Sequence, residues 1–143
     1  MTAYQRMLVM LTAGVGLVAT ACSSEDLLPL NRIEFSDISS PRDTAVLKDG
    51  SITLAEGTAV SAKVTAIDTK DHNMGAVELE SRDTSVIGVE PSVEQNTFVF
   101  YGVGEGSTEI DLLIVGKSRG EISVEVVAQS EISVGGEGGA GGE

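Results

Sequence analysis

Apolar and polar residues alternate with a period of two along four separate stretches of this chain, at residues 60–66, 77–80, 110–114 and 122–126. Successive side chains of a β-strand point to opposite faces, so this alternation buries one face and leaves the other in water. No long window shows the three-to-four-residue spacing of an amphipathic helix. The sequence therefore predicts an all-β protein.

Four further short stretches have the composition of strands, at residues 33–38, 52–54, 85–89 and 97–101. Turn-forming residues separate the stretches, and Gly, Pro, Asn, Asp and Ser dominate turns for distinct stereochemical reasons. Seven to eight short strands with regular turns predict an antiparallel β-sandwich or barrel. Residues 32–129 have close to the roughly 100 residues of an immunoglobulin-like sandwich, and we assign that fold to them. The turns are expected at Lys48-Asp49-Gly50, Glu56-Gly57, Pro91-Ser92 and Gly102 to Gly106.

The first 21 residues have the features of an export signal. Arg6 is their single charge, and the 15 residues of 7–21 carry none. A transmembrane helix needs about 20 apolar residues, whereas a basic start, a short apolar stretch and small residues are typical of a secretory signal peptide. The sequence thus predicts a signal peptide at residues 1–21 and an exported protein.

Cys22 is the only cysteine, and it follows the small residues Ala19-Thr20-Ala21. This pattern resembles the lipobox of bacterial lipoproteins, with Ala19 where that family prefers Leu. The resemblance implies a diacylglyceryl group on the Cys22 sulfur and an acyl chain on its amine, so that the membrane is a partner through Cys22. Ser23, rather than Asp, follows Cys22, which implies sorting to the outer membrane, on its periplasmic or surface face. The alternative is an ordinary signal peptide followed by an unpaired thiol.

The two ends of the expected mature chain differ from the domain between them. Residues 22–31 comprise the acylated Cys22 and a polar, acidic linker around one Leu-Leu-Pro-Leu patch. Residues 130–143 end in a Gly-rich run, which buries too little apolar surface to offset the entropy of ordering it. We expect this tail to be disordered.

Composition excludes several classes of ligand. The chain has 22 acidic and 9 basic residues, a net charge of −13, and no Lys/Arg cluster that would attract phosphates. Aromatic residues make up only 3% of the chain, which leaves few flat side chains to stack on bases, sugars or flavins. The sequence predicts neither nucleic-acid binding nor a cofactor.

Three segments carry a family resemblance: residues 51–58 (SITLAEGT), 81–89 (SRDTSVIGV) and 101–110 (YGVGEGSTEI), followed by the last alternating strand. Together, over about residues 52–127, they resemble the bacterial immunoglobulin-like domain of group 2, with Leu79 where that family often has Trp. The family forms stalk and spacer modules of intimin- and invasin-type adhesins and of other bacterial surface proteins. The resemblance implies an immunoglobulin-like sandwich and supplies no catalytic residue.

Two glycine motifs superficially resemble active-site motifs. Gly116-Lys-Ser118-Arg-Gly120 fits the G-x-S-x-G nucleophile pattern, but a nucleophile elbow needs a following helix and a downstream His. The only His, His72, precedes Ser118, so we interpret the motif as a hairpin tip. Residues 102–106 (GVGEG) are half of a dinucleotide fingerprint, but no helix follows to bind a pyrophosphate, and we interpret them as a turn.

The loop around His72 is the one place where a metal deserves consideration. A single imidazole makes a poor transition-metal site, so we expect a solvated histidine. Asp68, Asp71 and Asn73 could supply oxygens to Ca²⁺, which takes six to eight of them. The EF-hand spacing is absent and Lys70 lies inside the loop; calcium remains an alternative to no metal.

The sequence therefore predicts a lipid-anchored cell-envelope protein that displays one immunoglobulin-like sandwich as a non-catalytic structural, adhesive or binding module for a protein or glycan partner. A periplasm-facing accessory subunit of an envelope complex is the alternative. The third hypothesis is an enzyme. Glu78 and Glu80 would lie on one strand face about 7 Å apart and could mimic the carboxylate pair of a glycosidase. A solvated face without Trp or Tyr is a poor sugar cleft, so we assign no catalytic residue.

Overall fold

The computed structural model describes residues 27–40 and 44–129. The predicted signal peptide at residues 1–21, the predicted lipid site at Cys22 and the predicted disordered tail at residues 130–143 lie outside the described residues. Within the described ranges, no helix is long and apolar enough to cross a membrane.

The described part of the chain forms nine strands. β1 begins at Leu30, two residues before the predicted start of the domain, and β2 has no counterpart in the sequence prediction. β6 begins at Ile87 rather than at Ser85 because residues 83–86 form a turn. The strands are β1 (Leu30–Ser39), β2 (Ala45–Lys48), β3 (Ser51–Ala55), β4 (Ala59–Asp68), β5 (Glu78–Ser81), β6 (Ile87–Pro91), β7 (Thr97–Gly102), β8 (Gly106–Ile114) and β9 (Lys117–Val127).

The strands form two sheets that pack face to face. One sheet has the order β1-β4-β7-β6 and the other the order β2-β3-β9-β8-β5. With β1 as strand A, β4 as strand B and β5 to β9 as strands C to G, these orders contain the ABED and GFC sheets of the immunoglobulin fold. The predicted immunoglobulin-like sandwich is confirmed. One pair departs from the antiparallel pattern: β3 runs parallel to β9, with Ser51 opposite Ser123 and Ala55 opposite Val127.

The core lies between the two sheets and is built from the alternating positions that the sequence indicates. The β4 residues Val60, Ala62, Val64 and Ala66 are all buried, with at most 1% of their surface exposed. The Phe35 ring meets the edge of the buried Phe100 ring at a centroid distance of 6.4 Å and an interplanar angle of 82°. From β8 and β9 the buried residues are Ile110, Leu112, Ile114, Ile122, Val124 and Val126.

The β8–β9 hairpin contains the G-x-S-x-G motif. Its two turn residues, Val115 and Gly116, have φ values of 52° and 69°, and positive φ at both central residues is the signature of a type I′ hairpin turn. Ser118 lies on the exposed start of β9. The interpretation of this motif as a hairpin tip is confirmed.

Gly102 ends β7 where the two sheets come close together. Its N–H donates to the Thr58 carbonyl at 3.0 Å, and its carbonyl accepts from Gly57 N–H at 2.9 Å. A Cβ atom at Gly102 would lie 2.7 Å from the Ala55 carbonyl oxygen, so only glycine fits. Residues 103–105 lead directly into β8, which confirms that this glycine motif is a turn.

Candidate functional site

One side of the sandwich is an open edge formed by β5 and β6. Each is the outermost strand of its sheet: β5 pairs with β8, and β6 pairs with β7. Arg82 N–H donates to the Glu109 carbonyl on β8 at 3.0 Å, and backbone groups of successive strand residues alternate in direction. The backbone N–H and C=O groups of Leu79 and Ser81 therefore face away from β8, toward the open edge.

A groove of about 380 Å³ lies at this edge, between residues 76–79 and residues 91–98; we call it the edge groove. Its apolar surface comes from the β5 side and from the β6–β7 hairpin. Val77 and Phe98 are buried, Leu79 is half-buried, and Val93 is fully exposed at 103% of its reference surface. The groove therefore combines buried apolar walls with one fully exposed apolar side chain at its rim.

The charges at the edge groove are of one sign. Glu78 and Glu94 are among its lining residues, and no Lys or Arg lines it. Glu80 and Glu90 are exposed on the two edge strands, β5 and β6. The groove thus has an apolar interior and an acidic surround.

Asn96 fixes the shape of the edge groove. Its backbone has a φ of 61°, a conformation that Asn tolerates better than most residues, and its carbonyl accepts from Val64 N–H at 2.8 Å. Its side chain accepts from Val77 N–H at 3.0 Å and donates to the Gly75 carbonyl at 2.9 Å. The hairpin is therefore hydrogen-bonded to the segment that leads into β5, and the groove is preformed.

The Ser-x-Asp-x-Ser-Val segment, which carries part of the family resemblance, connects the two edge strands. The Ser81 hydroxyl donates to the Ile87 carbonyl at 2.9 Å. The Asp83 carboxylate accepts from the Ser85 hydroxyl at 2.5 Å and the Ser85 N–H at 2.9 Å. These two hydrogen bonds, the hydroxyl first, hold the pKa of Asp83 below its ordinary value. The segment is a rigid crossover from one sheet to the other.

Arg82 gathers three carboxylates on the outer face of the second sheet. It binds Asp111 through two bonds of 2.6 and 3.0 Å, Glu121 at 3.0 Å, and Glu109. Glu80, Asp111 and Glu121 stand side by side across three strands, where like charges repel. The hydrogen bonds from Arg82 hold the pKa of Asp111 below its ordinary value, and Asp111 raises the pKa of Arg82 in return. This network, the Arg82 cluster, stabilises the sheet face.

The loop around His72 is organised by Asp68, which is buried apart from 7% of its surface. One Asp68 oxygen accepts from the N–H groups of Lys70 at 2.7 Å and His72 at 3.0 Å, and the other lies 3.5 Å from Nδ1 of His72. The backbone hydrogen bond from His72 is the main reason that the pKa of Asp68 lies below its ordinary value. The Asp68 carboxylate therefore fixes the backbone of this loop through its hydrogen bonds to Lys70 and His72.

The other two side chains considered for calcium also have protein partners. Asp71 accepts from Arg32 at 2.5 Å, and Asn73 accepts from Gly75 N–H at 2.8 Å. In residues 27–40 and 44–129, no three or more His, Cys, Asp or Glu side chains are grouped so that they could hold a metal ion. Asp68, Asp71 and Asn73 are close in sequence, but each side chain accepts hydrogen bonds from different partners within the protein.

The residues considered for catalysis lie on exposed surfaces. Glu78 and Glu80 are exposed at alternate positions of β5, so they share the outer face, as predicted. The hydrogen bonds and ion pairs of the described residues connect His72 to Asp68 and do not connect it to Ser118. The edge groove was not identified from the sequence, because its two sides come from segments about 15 residues apart whose approach depends on the pairing of the sheets.

No family model matches this chain, and no curated protein matches it. Among solved structures, the chain is similar to domains 4 and 5 of the S-layer protein SbsC, at 29% identity and a TM-score of 0.44, covering 68% of this chain and 54% of that one. Domains 1–6 of the same surface layer protein match at 29% identity and a TM-score of 0.44, over 68% of this chain and 13% of that one. Domains 4–9 match at 29% identity and a TM-score of 0.45, over 68% and 15%. The chain thus spans about half the length, or much less, of the structures it matches.

Proposed function

We propose that this protein is a lipid-anchored module of the bacterial cell envelope that displays one immunoglobulin-like sandwich for binding, adhesion or structural support, without catalysis. The observation that carries the proposal is the order of parts along the chain. A signal-like segment ends at the single cysteine, Cys22, and the described residues that follow form one sandwich with a preformed groove at its open edge.

The chemistry of the described residues supports binding rather than reaction. The Arg82 cluster, the Asp68 loop and the Asp83 turn each use their charged groups for contacts within the fold. A catalytic site needs a nucleophile, acid or base whose partners leave it available to a substrate. The edge groove offers apolar surface and backbone groups, which are the means by which proteins bind other chains.

The test is the location of the protein in intact cells, for wild type and for Cys22→Ala. We expect the wild-type chain in the membrane fraction and the Cys22→Ala chain in the soluble or uncleaved-precursor pool, because acyl chains on Cys22 supply the membrane affinity. Ser23→Ala is the matched control, since it changes the neighbouring residue and keeps the cysteine. Identical fractionation of wild type and Cys22→Ala, with identical processing of the two chains, would refute the anchor.

Protease treatment of the same intact cells decides the orientation. Cleavage of the wild-type sandwich from outside supports display on the cell surface. Protection until the outer membrane is permeabilised instead supports the accessory-subunit function, in which the sandwich faces the periplasm. A periplasmic protein of known location, followed in the same samples, reports whether the cells stayed intact.

A further inference from the structure

We propose that the edge groove binds an extended, basic segment of a partner protein, which pairs with β5 as an additional strand and places aliphatic side chains in the groove. This inference rests on the proposed binding function and names the partner chemistry of the same surface. Four observations carry it: a free strand edge, an apolar groove beside that edge, an acidic surround, and the Asn96 hydrogen bonds that preform the groove.

The free edge supplies backbone hydrogen bonds. In the described residues, β5 has a strand neighbour only on its β8 side, and the backbone groups of Leu79 face the other way. Those of Val77 and Ser81 share this direction, but Val77 N–H already donates to Asn96, and Ser81 lies at the end that the crossover to β6 closes. A peptide that adds to such an edge satisfies these groups and gains affinity from main-chain hydrogen bonds, while pockets for alternate side chains give specificity. The pairing is therefore short and centres on Leu79.

The groove supplies the apolar contacts. An added strand next to β5 would run along Leu79, and every second side chain would point toward Val77, Phe98 and Val93. The groove has a volume of about 380 Å³, which leaves room for aliphatic side chains of a bound segment. Val93 is fully exposed, so covering it removes apolar surface from water.

The charges decide what kind of segment fits. Glu78 and Glu94 line the groove, and Glu80 and Glu90 flank it, so a segment with Lys or Arg between its aliphatic residues is attracted. A second copy of this chain, with a net charge of −13, is repelled. The same is true of the chain's own residues 130–143, which contain three Glu and no Lys or Arg. The residues that line the groove offer no exposed aromatic side chain on which a glycan could stack.

The experiment uses the full chain, purified as the cell processes it, and three labelled synthetic peptides followed by fluorescence anisotropy. The first alternates valine and lysine, the second alternates valine and glutamate, and the third is the valine–lysine peptide with every backbone nitrogen methylated. We expect saturable binding of the first peptide and affinities at least about tenfold weaker for the other two. Equal binding of all three would overturn the proposal.

Two pairs of variants locate the site. Val93→Asp and Glu94→Lys change the groove, and Val115→Asp and Glu105→Lys make the same changes on exposed residues elsewhere. We expect the groove variants to weaken binding about tenfold and the controls to change it less than about twofold. Since Val93 is fully exposed, its variant keeps the fold. Equal effects at both places would refute the assignment to the groove.

The outcome is separable from that of the proposed function. Failure of the valine–lysine peptide to bind, with Cys22→Ala released from the membrane, rejects the groove assignment alone. If wild type and Cys22→Ala instead behave identically in the fractionation test while peptide binding still depends on the groove, the envelope anchor is rejected and the peptide site is retained.

Discussion

At the scale of single residues, two glycines on neighbouring strands are there for different reasons. Gly88 faces Tyr101 across the β6–β7 pair, and a Cβ there would overlap the far end of the tyrosine ring, which is 37% exposed and can move. A Cβ at Gly102 would press on the backbone carbonyl of Ala55 at 2.7 Å, which cannot move alone. We expect Gly88→Ala to lower the free energy of unfolding by about 1 kcal/mol and Gly102→Ala by about 3 kcal/mol, as measured by urea denaturation. Equal losses would show that the sheets adjust freely at Gly102.

Val115 is a residue whose replacement should stabilise the protein. It is β-branched, 83% exposed, and has a φ of 52° in the β8–β9 turn, where Asn-Gly is the preferred pair. We expect Val115→Asn to raise the free energy of unfolding by about 1 kcal/mol by relieving backbone strain. Val93→Asn is the control, because Val93 is also exposed but does not have a positive φ. A similar gain from both variants would point to surface hydrophobicity instead of strain.

At the scale of strands, the sequence was most informative where a run of alternate side chains is buried. β4, β8 and β9 were predicted from their alternation because every second side chain enters the core. β2 was missed, since its four residues are only half-buried at alternate positions and give no such signal. The parallel pairing of β3 with β9 depends on how the whole chain is arranged, and no local pattern encodes it.

Neither the Arg82 cluster nor the edge groove could be predicted from the sequence, and the reason is the same for both. The Arg82 partners Glu109, Asp111 and Glu121 lie 27, 29 and 39 residues away, and only the order β5-β8-β9 brings them together. The two walls of the edge groove likewise come together only when the strands pair into sheets. What the sequence did provide is the prediction of an immunoglobulin-like sandwich displayed as a structural, adhesive or binding module.

The Arg82 cluster predicts how stability depends on pH. The pKa of Asp111 is lower in the folded protein than in the unfolded chain, where an Asp titrates at about 3.9. The cluster is therefore fully stabilising above that pH, and its contribution is lost as the pH falls through the lowered folded-state pKa. We expect Arg82→Gln to be less stable than wild type in urea at pH 7, with a difference that shrinks toward pH 2.

Carbon-detected NMR titration checks the cause of this pH dependence. The pKa of Asp111 should rise in Arg82→Gln, because the carboxylate loses its hydrogen bonds and keeps its acidic neighbours. It should stay unchanged in Arg32→Gln, whose partners Glu34 and Asp71 lie elsewhere. A stability difference that persists undiminished at pH 2 would instead assign the role of Arg82 to the packing of its aliphatic stem.

At the scale of the whole molecule, the chain crosses from one sheet to the other on both sides of the sandwich. On one side β1 and β2 are the outer strands. Ser40 follows β1 and Thr44 precedes β2, and their hydroxyls form a hydrogen bond of 3.3 Å. On the other side the Ser81–Ile87 bond and the Asp83 turn close the end of β5. The groove occupies the opposite end of β5, where no described crossover covers it. A partner strand would therefore cover the groove end of β5.

The net charge of −13 sets the response of the whole molecule to ions. Like charges repel in the compact state, and the screening length falls from about 30 Å at 0.01 M salt to about 8 Å at 0.15 M. We expect Tm to rise over this range in NaCl, because long-range repulsion is screened while the hydrogen-bonded Arg82 cluster loses less. CaCl₂ and MgCl₂ at equal concentrations should then raise Tm equally, since Asp68, Asp71 and Asn73 already have protein partners. A larger rise in CaCl₂ than in MgCl₂, abolished by Asp71→Asn, would establish a specific calcium site in the loop.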